Sequence, residues 1–319
     1  MRRLRNWLLP SWAQPDHPLL QYELAHLRGS RRRFYLQVLF LSLLIGGSAF
    51  LYAATALRPP GAANLSGIFW RSIYYPLLAA QVITMALAMT LGAAAVGGER
   101  SRKTWDHLRV TEFGAGVALR ARWAGILYRL RAPILVLLVL RLLLVLGLLY
   151  DLTAFGGLYP QMLGARATPP LPAWRLDLLL IALAVTVTLA LPLAAIANAA
   201  ALGILVSVAV KERIYAAVIQ MLAVVAQVAV SLAGALAIAR MIAGDSSGAG
   251  EWSYALLFAY SALGDWGLLL AQLGSLGEIW HRVPHGATIV PGLLVVFLAL
   301  GAAADGMIWL AGRLAESRG

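Results

Sequence analysis

The sequence predicts an all-α integral membrane protein with six transmembrane helices. Three observations predict it. The 319 residues are 61% hydrophobic and only 13% charged, against roughly 45–50% apolar residues in soluble domains. Apolar runs of about 20 residues recur, each long enough to cross the hydrocarbon core as a helix. They do not alternate polar with apolar, as spanning β-strands would. Lys and Arg gather beside alternate runs: 19 of the 26 fall on one side of a six-span layout. By the positive-inside rule both termini are then cytoplasmic.

The elements follow in order. Residues 1–16 read as a basic tail with Arg2, Arg3 and Arg5. Pro10, Gln14, Pro15, Asp16 and His17 interrupt it before any apolar run, so no cleavable signal peptide is expected. Over 18–33, Leu20, Leu24 and Leu27 share one helical face amid Glu23, Arg28 and Arg31–Arg33. That pattern suits a helix lying in the membrane interface. Span 1 covers about 34–57 and ends at Arg58-Pro59-Pro60-Gly61, a run of helix breakers. Span 2 covers 73–97, and a polar loop covers 98–131. Span 3 covers 132–150, followed by a Gly/Pro-rich loop, 151–173.

Span 4 begins near Trp174. Residues 178–210 carry no charge, which exceeds one membrane thickness at 1.5 Å per residue. One long helix, bent near Pro192 and continuing into the cytoplasm, accounts for this run. Lys211-Glu212-Arg213 closes its inner end, and span 5 covers 214–239. A turn signal opens the segment 244–286 at Gly244-Asp245-Ser246-Ser247-Gly248. Gly264, Asp265, Gly267, Gly274 and Gly277 break its moderately apolar centre. Residues 254–277 could form a seventh span; the two arginines of the C-terminal tail favour short extracytoplasmic helices between spans 5 and 6 instead. Span 6 covers 287–310. The resulting organisation is a tail and interfacial helix (1–33), a transmembrane domain (34–312) and a cytoplasmic tail (313–319).

Composition excludes several classes of chemistry. There is no cysteine, hence no disulfide, thiolate nucleophile or Cys-based metal site. No P-loop, His-Glu-x-x-His or Gly-x-Ser-x-Gly run occurs, so neither ATP hydrolysis nor another enzymatic activity is expected of this chain. His281 and His285 flank Pro284, a poor platform for a metal; no metal and no cofactor is expected. The net charge of +12 clusters beside spans, where topology explains it better than nucleic acid does.

Two charges fall inside spans: Arg141 in span 3 and Asp305 in span 6. A central arginine costs roughly 2.5–3.5 kcal/mol on insertion scales, so it should face protein or water. An Arg141–Asp305 pair is the expectation, either fixing helix packing or lining a substrate path. Asn198 in span 4 is expected to hydrogen-bond across helices.

The densest polar stretch is Glu99-Arg100-Ser101-Arg102-Lys103-Thr104-Trp105-Asp106-His107-Leu108-Arg109-Val110-Thr111. It follows a span, it is basic, and it reads as a cytoplasmic segment that binds another protein. It resembles the segment after span 2 in ABC-2-type transporter permeases, of the type V exporter-like class. Glu99, Arg100, Thr104, Asp106, Leu108 and Thr111 match that pattern, and Ala121-Arg122 stands where the family often has Gly-Lys. Lys103, Glu112 and Gly114 depart from it, replacing Gly, Pro and Ser. His17-Pro18-Leu19-Leu20, Glu23-Leu24 and Arg31-Arg32-Arg33-Phe34 are similar to the family's amphipathic elbow helix.

The resemblance implies a permease subunit of an ATP-binding cassette transporter, an exporter in the plasma (inner) membrane. It would form a homodimer or heterodimer with a similar permease, embedded in lipid, and dock on a separate ATPase subunit. The loop would hold the coupling helix. Trp105, Leu108 and Phe113 would enter an apolar cleft on the ATPase, with Arg102, Asp106 and Arg109 at the rim. Glu99 and Arg100 would anchor the loop at the end of span 2. The competing expectation is an accessory subunit that keeps the topology without binding an ATPase.

Overall fold

The computed structural model describes residues 65–101, 114–154, 174–210, 212–242 and 285–317, with single helical positions between Pro18 and Gly47. Among the described residues the chain is all-helical. Six helices follow one another: α1 (Leu65–Ser101), α2 (Gly114–Arg129), α3 (Arg131–Ala154), α4 (Trp174–Ala209), α5 (Arg213–Ile242) and α6 (His285–Ser317). Three of them contain stretches long and apolar enough to cross a membrane: Pro76–Ala94, Leu189–Ala209 and Leu294–Ser317. In α5 the apolar stretch is shorter, Ile214–Val230. Most of span 1 (34–57) falls outside the described residues. The interfacial helix (18–33) and residues 244–284 of the extracytoplasmic segment do so too.

The helices outrun the spans expected of them. α1, α4 and α6 have 37, 36 and 33 residues, about 50–55 Å at 1.5 Å per residue, against a hydrocarbon core of about 30 Å. α4 runs unbroken through Pro192, which is buried. Proline offers no N–H to the carbonyl four residues back, a loss that neighbouring helices in a membrane bundle offset. α6 continues to Ser317, past the end expected for the last span, with Ala311 and Ala315 buried.

The second half of the polar loop expected at 98–131 is helix α2. Its buried positions are Ala115, Ala118, Leu119, Ala121, Arg122, Gly125 and Ile126. These recur at helical spacing, so they form one face. Arg120, Arg122 and Arg129 hid that face from a reading based on polarity. Only Leu130 separates α2 from α3. Leu130 N–H donates to Ile126 O at 3.1 Å, and Ile134 N–H donates to Leu130 O at 2.9 Å. Pro133 explains the break: its ring crowds the carbonyl of Arg129, and its nitrogen cannot donate to it.

α4 is the centre of the bundle, with α1 and α6 as its principal neighbours, while α3 and α5 lean on α1 and α4. Leu77, Met89, Leu191, Ile196, Ile204 and Ile308 fill the core. The α1–α4 crossing is made by small residues. Ala88 and Gly92 lie four apart on α1, and Ala199 and Gly203 lie four apart on α4. That spacing lets backbones touch. A Cβ on Gly92 would stand 2.5 Å from Ala200 O and 2.9 Å from Ile204 N. A Cβ on Gly203 would collide with Met89 O. Outward faces are apolar: Ile214 on α5 is 76% exposed and Leu298 on α6 is 65% exposed. Apolar surface of this kind suits lipid as solvent.

Gly203→Ala is expected to lower stability by about 1–3 kcal/mol, because α1 and α4 must move apart. Gly301 faces open space, so Gly301→Ala should instead gain about 0.5–1 kcal/mol from helix propensity. Thermal melts in detergent compare the two. Equal shifts at both sites would rule out the backbone contact.

Candidate functional site

Two polar features interrupt the apolar bundle, and they lie at different levels. The deeper one is centred on Arg141, which is 0% exposed. On α3, Leu137 and Leu144 flank it one turn away on each side and are fully enclosed. On α1, Gln81 and Thr84 lie on the buried face, 1% and 2% exposed. Arg141 Nη2 donates to Gln81 Oε1. The Thr84 hydroxyl is turned back to Ala80 O at 2.7 Å, satisfying it within its own helix. The arginine therefore faces protein, as its insertion cost demands. A buried charge-assisted hydrogen bond of this kind fastens α3 to α1.

The second feature joins α2 to α6. Arg120 Nη2 meets Asp305 Oδ1 at 3.3 Å, with side chains 31% and 73% exposed. Arg141 and Asp305, expected to pair with one another, thus have different partners. The reason is distance along the chain. Arg141 follows Arg120 by 21 residues, about 31 Å of helix. The carboxylate of Asp305 sits at the level of Arg120, not of Arg141.

The same end of the bundle gathers the ends of the long helices around α2. Trp123 Nε1 donates to Ala197 O of α4 at 2.8 Å. A Cβ on Gly312 of α6 would stand 3.2 Å from the Cα of Gly116. Gly114, the first residue of α2, has φ of 67°, a conformation glycine adopts without the penalty other residues carry. This backbone is a local reason for glycine at 114. Two basic residues have aromatic partners: Arg131 lies 4.4 Å from the Tyr128 ring centroid, and Arg313 lies 5.2 Å from that of Trp309.

Of the expected docking residues, Glu99 and Arg100 belong to the last turn of α1. Arg102, Thr104, Trp105, Asp106, Leu108, Arg109, Thr111 and Phe113 lie outside the described residues. The segment 102–113 thus leaves the end of α1 and returns as α2, and both of those helices touch α4. Asn198, expected to bond across helices, has its side-chain oxygen enclosed without a donor among the described residues. Gln81, Arg120 and Trp123 were not singled out in the sequence. Gln81 had a signal, as a polar residue within the apolar span 2. The other two had none, because their partners are 185 and 74 residues away.

No family model, curated protein or solved structure matches this chain.

Arg141→Leu is expected to cost about 1–3 kcal/mol, since it removes the buried charge-assisted hydrogen bond to Gln81 Oε1. Arg141→Leu combined with Gln81→Leu should recover part of that loss. Chemical denaturation in detergent separates the variants. A double variant no more stable than Arg141→Leu would deny the coupling.

Proposed function

We propose that this chain is the transmembrane permease subunit of an ATP-binding cassette transporter, an exporter of the ABC-2 type driven by a separate ATPase subunit. The observation that carries the reading is the segment beginning at Glu99-Arg100 and running through Thr104, Trp105, Asp106, Leu108 and Thr111. Its place between α1 and α2 supports the same reading. A docking element moved by a closing ATPase needs a stiff connection to the membrane helices. Here one end is continuous with α1, which meets α4 through Gly92 and Gly203. The other end is continuous with α2, which meets α6 through Gly116 and Gly312.

In this reading the end of the bundle formed by Ser101, Gly114, Ala209 and Ser317 is cytoplasmic. Six spans cross the plasma (inner) membrane, with an elbow helix before the first and both termini inside. A second permease, identical or similar, completes the transporter. Trp105, Leu108 and Phe113 enter the ATPase cleft, with Arg102, Asp106 and Arg109 at its rim. The transported molecule crosses without chemical change, and hydrolysis takes place on the partner.

The test is a detergent pull-down of the tagged chain, with mass spectrometry and an ATPase assay on the eluate. An ATP-hydrolysing partner is expected. Trp105→Ala together with Leu108→Ala should weaken its retention by at least about 30-fold, the factor for losing one hot-spot side chain of about 2 kcal/mol. Recovery of the chain alone, or with partners that lack a P-loop, would identify an accessory subunit instead.

A further inference from the structure

Three contacts tie the last turns of α6 to the first turns of α2, in antiparallel register. Glu316 Oε1 lies 4.0 Å from where a Cβ on Gly114 would stand. Gly312 and Gly116 meet next, backbone to backbone, with 3.2 Å between a Cβ on Gly312 and the Cα of Gly116. Asp305 and Arg120 close the row at 3.3 Å. Residues 316, 312 and 305 on α6 thus meet 114, 116 and 120 on α2.

The three contacts differ in kind and support one another. The glycine pair leaves no side chain between the helices, so neither can slide without moving the other's backbone. Close-packed interfaces of this sort shift as units and do not deform smoothly. The Glu316 carboxylate stands near the N-terminus of α2, where helix N–H groups favour negative charge. The Arg120–Asp305 pair fixes the register two turns further on. A fourth contact, Trp123 to Ala197 O, holds the same helix to α4. Gly114 is also where the docking segment re-enters the helix bundle.

We propose that α2 and the last three turns of α6 form one rigid body, which carries displacement of the docking segment to the last membrane helix. The inference rests on the permease reading above. Gly116, Arg120, Asp305 and Gly312 are its positioning residues. Force entering at 102–113 reaches α6 through this row as well as α1 through the chain itself. The two helices that flank α4 therefore move together.

The experiment uses the full chain with the ATPase it retains, reading partner retention and ATP hydrolysis separately. In Gly312→Leu the added side chain pushes α2 from α6. Retention should stay at the native ratio while hydrolysis falls at least about fivefold, the lower end of typical coupling between sites. A second variant guards against loss of folding. The chain has no cysteine, so Arg120→Cys with Asp305→Cys introduces a single thiol pair. Hydrolysis should be lowered in the reduced form, restored by a bifunctional methanethiosulfonate crosslinker, and lowered again by reductant. A purely structural role would not follow the crosslink in this way. Unchanged hydrolysis in both variants, with the partner retained, overturns this inference alone. Absence of an ATP-hydrolysing partner from the native chain overturns the permease reading, and this inference with it.

Discussion

The contact of Gly92 with Ala200 and Gly203 is the constraint on which the other elements depend. In a bilayer, lipid tails are as apolar as leucine, so helices gain little from hiding apolar surface from one another. Close approach, and the van der Waals contact it permits, must hold them. At this crossing the α1 and α4 backbones touch directly. The contact places α4 at the centre of the bundle and presents its other flank to α6. α2 then enters beside both, and Trp123 reaches a carbonyl on α4.

Polar groups are used sparingly and at different depths. Arg141 with Gln81 fastens α3 to α1 where water is excluded. Arg120 with Asp305 fastens α2 to α6 where both side chains are partly exposed. The first gains strength from its low dielectric surroundings and would be costly to break. The second, with one carboxylate 73% exposed, is worth about 0–1 kcal/mol in a water-like setting and acts chiefly by fixing register. The glycine contacts beside it supply the rigidity that the ion pair cannot.

Length is the property that links this architecture to a function. Three helices exceed the hydrocarbon thickness by about 20 Å each. Beside them, α2 packs against α1, α4 and α6. The segment that joins α1 to α2 is held at both ends by helices that pack against α4. Under the permease reading, that is the mechanical requirement for delivering a partner's motion to the transport path. The polar loop read from the sequence concealed it, because the arginines of α2 outweigh its alanines in any average of polarity. The spacing of Ala115, Ala118, Leu119 and Ile126 carried the signal instead.

The sequence by itself determined the membrane-compatible character of the chain and the all-helical character of its described residues, and it placed helices where spans 2 to 6 were read. It also anticipated one helix through Pro192 that outruns one membrane thickness. These are properties of composition and of local spacing, and they need no knowledge of neighbours. Only the tertiary structure decided which helices meet and which charges pair. Arg141 and Asp305 were the two charges read inside spans, and they were expected to pair with one another. Their partners became Gln81 and Arg120 because depth is set by how each long helix is staggered against α4. That stagger is fixed by small residues such as Gly92 and Gly203, whose lack of a side chain leaves little trace in a hydropathy pattern.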